Sequence, residues 1–181
     1  MSHEHACGGH LQANPSVSQT LDEMEFERGI WPAAMDGELN KVSSLLRNGT
    51  NVDARDNSGY TALHYASRGG HLEICRLLLD SSASVNAQTK SGGITSLHRA
   101  AYCGHIEVVS LLLQKGARPE MCDNDGKTAL HKAAEKGKPE IVKMLVAAAP
   151  GTKSVKDNRQ KQPVNYVPDS KPELKAILAP S

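Results

Sequence analysis

The apolar residues of this chain fall into short helical blocks that alternate with polar turns. Leu63 and Ala66 share one face of a short predicted helix that ends at Gly70. A second predicted helix, at about Leu72–Asp80, is apolar around much of its circumference. Because such a helix must be covered on more than one side, the pattern predicts further helix pairs packed before and after this one.

A phrase of the form Thr-x-Leu-His-x-Ala opens three successive units of the chain. The phrase begins at Thr61, Thr95 and Thr128, with spacings of 34 and then 33 residues. A glycine follows nine residues after each threonine, and a glutamate follows after twelve. A fixed period of this length with this opening indicates one supersecondary unit that is stacked repeatedly.

These residues resemble the ankyrin-repeat family, and the resemblance covers about residues 28–178. It implies an all-α ankyrin-repeat solenoid, in which helix–turn–helix units stack and β-hairpin turns project from one side. It also implies binding of a partner protein along the concave face and no intrinsic catalysis. The chain shows no Gly-rich phosphate loop, nucleophile elbow or catalytic carboxylate pair, so we expect no enzyme and no cofactor.

The repeats predict two regions in the chain, a flexible N-terminal segment over residues 1–17 and an ankyrin-repeat domain over residues 18–178. The first repeat, at about 28–56, is degenerate, because Trp31 stands roughly where the motif has histidine. Full repeats are expected at about 57–89, 90–122 and 123–150, and a truncated C-terminal cap at about 157–178. Terminal repeats deviate because one of their faces meets solvent.

Charge and cysteine content narrow the class of partner and the compartment. Lys and Arg number 21 against 20 for Asp and Glu, which predicts neither a nucleic-acid nor a membrane partner. No apolar run approaches the ~20 residues that span a bilayer, and the N-terminus lacks the pattern of a secretory signal. The four cysteines form no Cys-x-x-Cys pair and are best interpreted as reduced thiols. We therefore expect a cytoplasmic and/or nuclear protein, and a monomer.

Side chains at the hairpin tips and on the exposed side of each first helix are predicted to form a basic and aromatic strip. Positions four, seven and eight after each threonine lie on one helix face. Tyr and Arg are enriched at binding hot spots, and concentrated positive charge favours an acidic peptide or acidic patch on another protein. The alternative is that Lys and Arg only solvate an exposed face. The strip consists of Tyr60, Tyr65, Arg68, Arg99, Tyr102, Lys127, Lys132 and Lys136, opposed by Glu135.

The N-terminal segment contains a weak candidate metal site, and we expect no other. His3, His5, Cys7 and His10 have the composition of metal ligands, although their spacing matches no known finger. The alternative function is therefore a metal- or redox-responsive regulatory protein that senses through this segment or through Cys103.

The resemblance also implies one modification. Ankyrin repeats are substrates for asparaginyl hydroxylation at an asparagine preceded by valine, with a leucine eight residues upstream. Asn86 follows Val85, and Leu78 lies eight residues before it. The alternative is that Asn86 serves only to bond the backbone of its turn.

Overall fold

The computed structural model describes residues 29–179, and these residues form helices joined by turns. This part of the chain contains nine α-helices, two short 3-10 helices and no strand. The helices are α1 (Ile30–Met35), α2 (Leu39–Arg47), α3 (Ala62–Gly69), α4 (Leu72–Asp80), α5 (Ser96–Cys103), α6 (Ile106–Gln114), α7 (Ala129–Glu135), α8 (Pro139–Ala148) and α9 (Pro172–Leu178). The 3-10 helices are Pro150–Ser154 and Pro163–Tyr166. The segment expected to be flexible, residues 1–17, lies outside the described residues.

The helices stack as antiparallel pairs in two layers. The first helices of successive pairs (α1, α3, α5 and α7) pack against one another, and the second helices (α2, α4, α6 and α8) form the other layer. Each pair is followed by a tight turn, as at Asp56, whose N–H donates to the Tyr60 carbonyl at 3.0 Å. This arrangement confirms the all-α solenoid expected from the repeat pattern.

A histidine in each first helix joins that helix to the hairpin of the next unit. Nδ1 of the buried His64 accepts the Thr61 N–H at 3.1 Å, and its Nε2 donates to the Ile94 carbonyl at 2.9 Å. The equivalent bridges run from His98 to Lys127 at 3.0 Å and from His131 to Lys161 at 3.2 Å. The Thr-x-x-His phrase therefore caps its own helix and also fixes the position of the following unit.

Small and branched apolar residues fill the space between the layers. Leu63, Leu97 and Leu130 occupy the same repeat position and are fully buried, as are the alanines three residues after each of them. Alanine lets the first helices approach closely, and leucine fills the gap toward the second layer. The core therefore runs along the stack instead of surrounding a single centre.

Glycine is required at the end of α3 because a neighbouring side chain occupies the space above it. Gly70 ends the helix with φ of +75°, a left-handed conformation that favours glycine. A Cβ atom on Gly70 would lie 2.5 Å from Nδ1 of His105. His105 in turn bonds the Arg68 carbonyl through Nε2 at 2.9 Å, so the glycine admits a second bridge between adjacent units.

The C-terminal unit keeps the bonding of the earlier units with different residue types. The Gln162 N–H donates to Oδ1 of Asn165 at 2.8 Å, which reproduces the bond between threonine and histidine. The first helix of this unit is only the 3-10 helix Pro163–Tyr166, and α9 follows it with Leu174 and Leu178 buried.

Burial of the three bridging histidines makes the fold sensitive to acid. Burial lowers the pKa of His64 to about 4 and lowers the pKa values of His98 and His131 as well. A proton on Nδ1 would also face the threonine N–H that Nδ1 now accepts. Because the folded pKa values lie below the ordinary value near 6.5, the unfolded chain binds more protons in the interval between them.

We therefore predict that stability is retained above about pH 6.5 and falls as the pH decreases toward about 4. Each histidine that ionises only on unfolding contributes up to about 1.4 kcal/mol per pH unit. Urea unfolding between about pH 7 and pH 5, above the range in which most carboxyl groups titrate, measures the effect. A His64→Gln variant should be less stable at neutral pH and show a shallower dependence. Equal urea midpoints for the wild type at the two ends of this range would contradict the prediction.

Candidate functional site

The repeat geometry aligns the residues of the strip in two rows. The hairpin-tip row precedes each helix cap and contains Tyr60, Ile94 and Lys127. The helix row lies four residues after each cap and contains Tyr65 on α3, Arg99 on α5 and Lys132 on α7. Arg68 and Tyr102 follow one turn later on their helices, and Lys136 directly follows α7. The structure thus places all eight residues of the strip on the first helices and on the turns next to them.

An aromatic and cationic cluster forms at the N-terminal half of the strip. The rings of Tyr60 and Tyr65 lie 5.6 Å apart, and the Arg99 guanidinium lies 5.0 Å from the centre of the Tyr60 ring. Nη2 of Arg99 donates to the Tyr60 hydroxyl. The Tyr65 hydroxyl donates to Oδ2 of Asp56 at 2.6 Å, and burial together with this bond raises the pKa of Tyr65. Cation–π contact of this kind orients arginine without neutralising its charge.

The last turns of the first helices, and the residue directly after α7, present the most exposed cations of the strip. Tyr102 is 39% exposed, and Nζ of Lys136 lies 4.5 Å from the centre of its ring. Arg68 is exposed on the last turn of α3. Among residues 29–179, Arg68, Arg99 and Lys136 form no ion pair.

Two lysines of the strip are neutralised inside the protein, so the strip is less basic than its sequence suggests. The Lys132 side chain is only 17% exposed, and its Nζ lies 2.7 Å from Oδ2 of the buried Asp123. The Lys127 side chain is 15% exposed and pairs with Glu135 at 3.3 Å. Lys127 also lies 4.2 Å from the centre of the Tyr166 ring. Glu135, which the sequence analysis set against the positive charge of the strip, therefore pairs with one of its lysines, Lys127.

Sequence reasoning missed that both rows continue into the C-terminal unit. Lys161 takes the hairpin-tip position, since its carbonyl receives the His131 bridge, and Tyr166 takes the helix-row position. The Tyr166 hydroxyl donates to Asp157, nine residues earlier, and this bond together with burial raises the pKa of Tyr166 to about 12. The spacing from Asp157 to Tyr166, equal to that from Asp56 to Tyr65, was the signal that could have found it.

A cavity opens on the strip between α5 and α7. Its volume is about 170 Å³, and it is lined by Ile94, His98, Arg99, Tyr102 and Lys132. Apolar side chains and cationic groups thus meet in one depression on the face that carries the strip.

The candidate metal ligands His3, His5, Cys7 and His10 lie outside the described residues. Between residues 29 and 179, no group of three or more His, Cys, Asp or Glu side chains is placed to hold a metal ion. Cys103 is half-buried and forms no disulfide. The described helices are also too short and too polar for any of them to cross a membrane.

Asn86 bonds the next unit instead of its own turn, which corrects the structural role expected for it. Its Nδ2 donates to the Gly116 carbonyl at 3.0 Å, and its Oδ1 accepts the Arg118 N–H at 2.9 Å. Asp53, one repeat earlier, likewise accepts the Ser84 N–H at 2.9 Å. These side chains therefore hydrogen-bond the segment that follows one second helix to the same segment of the next unit.

Comparison with known proteins gives matches over the same residues. The family model described as "Ankyrin repeats (3 copies)" matches residues 29–89 and 86–161. The chain is 51% identical over 83 residues to Ankyrin repeat domain-containing protein 39 of Homo sapiens, covering 46% of this chain and 45% of that protein. It is 55% identical over 65 residues to the protein of the same name from Bos taurus, covering 36% of each. The matched stretch is thus less than half the length of these curated relatives.

Two experiments address Asn86, one for its hydrogen bonds to the next unit and one for its hydroxylation, which stays a prediction. Asn86→Ala removes two hydrogen bonds between units, so we expect a loss of about 1–2 kcal/mol in the free energy of unfolding, measured with urea.

Mass spectrometry of the peptide containing Asn86, from protein isolated from cells, should show a species heavier by one oxygen atom. Peptide found only in the unmodified form would contradict the hydroxylation.

The ion pair between Lys132 and Asp123 predicts that charge reversal here destabilises the fold. Lys132→Glu places a second carboxylate against the buried Asp123, and we expect a loss of about 2 kcal/mol or more in the free energy of unfolding. Arg68→Glu, at an exposed site without an ion pair among the described residues, serves as the control and should lose much less. Equal urea midpoints for the two variants would contradict the assignment.

Proposed function

The chain belongs to the ankyrin-repeat family, and from that premise we propose that it is a non-enzymatic module that holds an acidic partner protein through the strip. Ankyrin repeats are generally protein–protein interaction modules. The partner is bound by side chains of the hairpin tips and first helices, and the module acts as an adaptor or masks a surface of the partner. We place this activity in the cytoplasm and/or nucleus and assign it to a monomer.

One observation carries the proposal: cations without ion pairs among the described residues lie beside tyrosines on one face of a nearly neutral protein. Arg68, Arg99 and Lys136 share this face with Tyr60 and Tyr102. The formal net charge of the whole chain is only +1, so this concentration of charge is local. Arginine and tyrosine contribute heavily to binding hot spots, and a local positive field favours an acidic surface on the partner.

Arg68 and Lys136 are exposed and Arg99 is half-buried, so a partner can reach all three side chains. The tyrosine rings hold Arg99 and Lys136 in place without supplying a counter-ion, so little conformational entropy is lost when a partner carboxylate arrives. Because the partner is attracted by charge, we expect binding to weaken as salt is added. Exposed charges are screened beyond about 8 Å at physiological ionic strength.

Charge reversal at two strip arginines tests the proposal. The variant Arg68→Glu/Arg99→Glu should lose partner capture from a cell lysate by at least about tenfold, measured by quantitative pull-down and mass spectrometry. A matched control reverses two exposed cations on the second helices, Arg76→Glu/Lys143→Glu, whose side chains are 49% and 55% exposed. Circular dichroism and urea unfolding establish that both variants remain folded.

The comparison between the two variants decides the outcome. Partners lost from the strip variant and kept by the control support an interaction module that uses this face. Partners kept by both variants contradict the use of the strip. Deletion of residues 1–17 addresses the metal- or redox-responsive alternative where it senses through the N-terminal segment, because binding through the strip does not require that segment.

A further inference from the structure

Arg99 differs from every equivalent residue in the helix row. Each of the other members contacts the aspartate that lies nine positions earlier and begins its hairpin. These pairs are Tyr65 with Asp56, Lys132 with Asp123, and Tyr166 with Asp157. The array therefore supplies a carboxylate to this row at three of the four positions on α3, α5, α7 and the second 3-10 helix.

The hairpin that begins the third repeat, here called the third hairpin, contains Thr89 where the hairpins at Asp56, Asp123 and Asp157 contain aspartate. Thr89 holds the equivalent place, because its N–H donates to the Ile94 carbonyl as Asp56 N–H donates to the Tyr60 carbonyl. Its Oγ1 accepts the Ile94 N–H at 3.1 Å, which replaces one oxygen of the aspartate. Thr89 offers no second oxygen to the helix row. The single carboxylate missing from the row is thus the one that would face Arg99.

The Arg99 guanidinium has hydrogen-bonding capacity that the described residues do not use. Its Nη2 donates to the Tyr60 hydroxyl, and its Nε is buried with no acceptor among them. A buried N–H without an acceptor is unfavourable, so an acceptor that reaches the Arg99 guanidinium is favoured. Arginine presents its donors in a planar fork that matches a carboxylate.

The cavity beside Arg99 has the size and lining for one acidic side chain. Its volume of about 170 Å³ is bounded by Ile94 and Tyr102, which can contact the methylene groups of such a side chain. Lys132 and His98 complete the wall. Lys132 is already neutralised by Asp123, which lies 2.7 Å from it, so the cavity offers one uncompensated positive charge. A single negative charge fits this balance better than a doubly charged phosphate.

We infer that the cavity beside Arg99 binds one glutamate or aspartate side chain of the partner, which takes the place of the carboxylate that the third hairpin lacks. This inference rests on the proposed function and specifies its anchoring contact. Arg99 donates to the carboxylate, the Tyr60 ring holds the guanidinium in position, and Ile94 and Tyr102 contact the aliphatic part of the bound side chain.

Titration of the full-length protein, labelled with nitrogen-15, tests the cavity without the natural partner. The probe is N-acetylglutamate α-amide, and N-acetylglutamine α-amide is its uncharged control. The Nε–H resonance of Arg99, assigned by its absence from the Arg99→Lys spectrum, should shift and saturate with the glutamate probe. The Nε–H resonance of Arg68 should shift little, and the glutamine probe should not shift the Nε–H resonance of Arg99.

Two results would overturn the inference. Equal shifts of the Arg99 and Arg68 resonances that do not saturate would show only weak attraction of the probe to any surface cation. A larger saturating response of Arg99 to inorganic phosphate than to the glutamate probe would assign the cavity to a different anion.

Pull-downs with conservative variants separate this inference from the proposed function. Arg99→Lys keeps the charge and removes Nε, and it should reduce partner capture by at least about tenfold, whereas Arg68→Lys should reduce it less than about threefold. Equal effects of the two substitutions, with capture still lost on charge reversal, would reject the cavity and leave the interaction module standing. A saturating Arg99 response without charge-dependent capture would support a carboxylate-binding cavity and reject the strip as the face that holds the partner.

Discussion

The histidine bridge between each first helix and the following hairpin is the constraint on which the rest of the structure depends. In the bridge from His64, both ring nitrogens have partners, one in its own cap and one in the next unit. The buried ring therefore fixes the separation of neighbouring units, and the same spacing repeats along the stack. That regularity aligns the helix row and the hairpin-tip row, so a change of residue in one unit becomes a chemical difference at a defined place on the surface.

The strip that results is not a uniformly basic face. Lys132 and Lys127 are neutralised by carboxylates of the protein itself, whereas Arg99 lies where the hairpin has Thr89 in place of an aspartate. Among the described residues, the cations of the strip that have no ion pair are thus Arg68, Arg99 and Lys136. Such a distribution suits a short acidic segment with one well-placed carboxylate more than a long acidic stretch, because Arg99 combines a donor that has no acceptor among residues 29–179 with an adjacent cavity.

The fold could be predicted from the sequence because each repeat encodes its own contacts. The predicted helix Leu72–Asp80 is observed with those bounds as α4. The site could be predicted only in part, since periodicity identifies the exposed rows but not the partners of each side chain. Periodicity presents Lys132 as an available cation, whereas its side chain pairs with Asp123. Tyr166 was missed because Gln162 and Asn165 make the capping bond with residue types that the motif does not contain.

Site-specific photocrosslinking to the captured partner tests the central claim, that the partner lies on the strip. A benzophenone amino acid replaces Tyr102 on the strip in one variant and Ile106 on the second helix α6 in another. The two side chains have similar exposure, 39% and 46%, so their opportunity for random contact is matched. The account predicts crosslinks to the partner from position 102 and few from position 106. Crosslinks mainly from position 106 would place the partner on the opposite layer and contradict it.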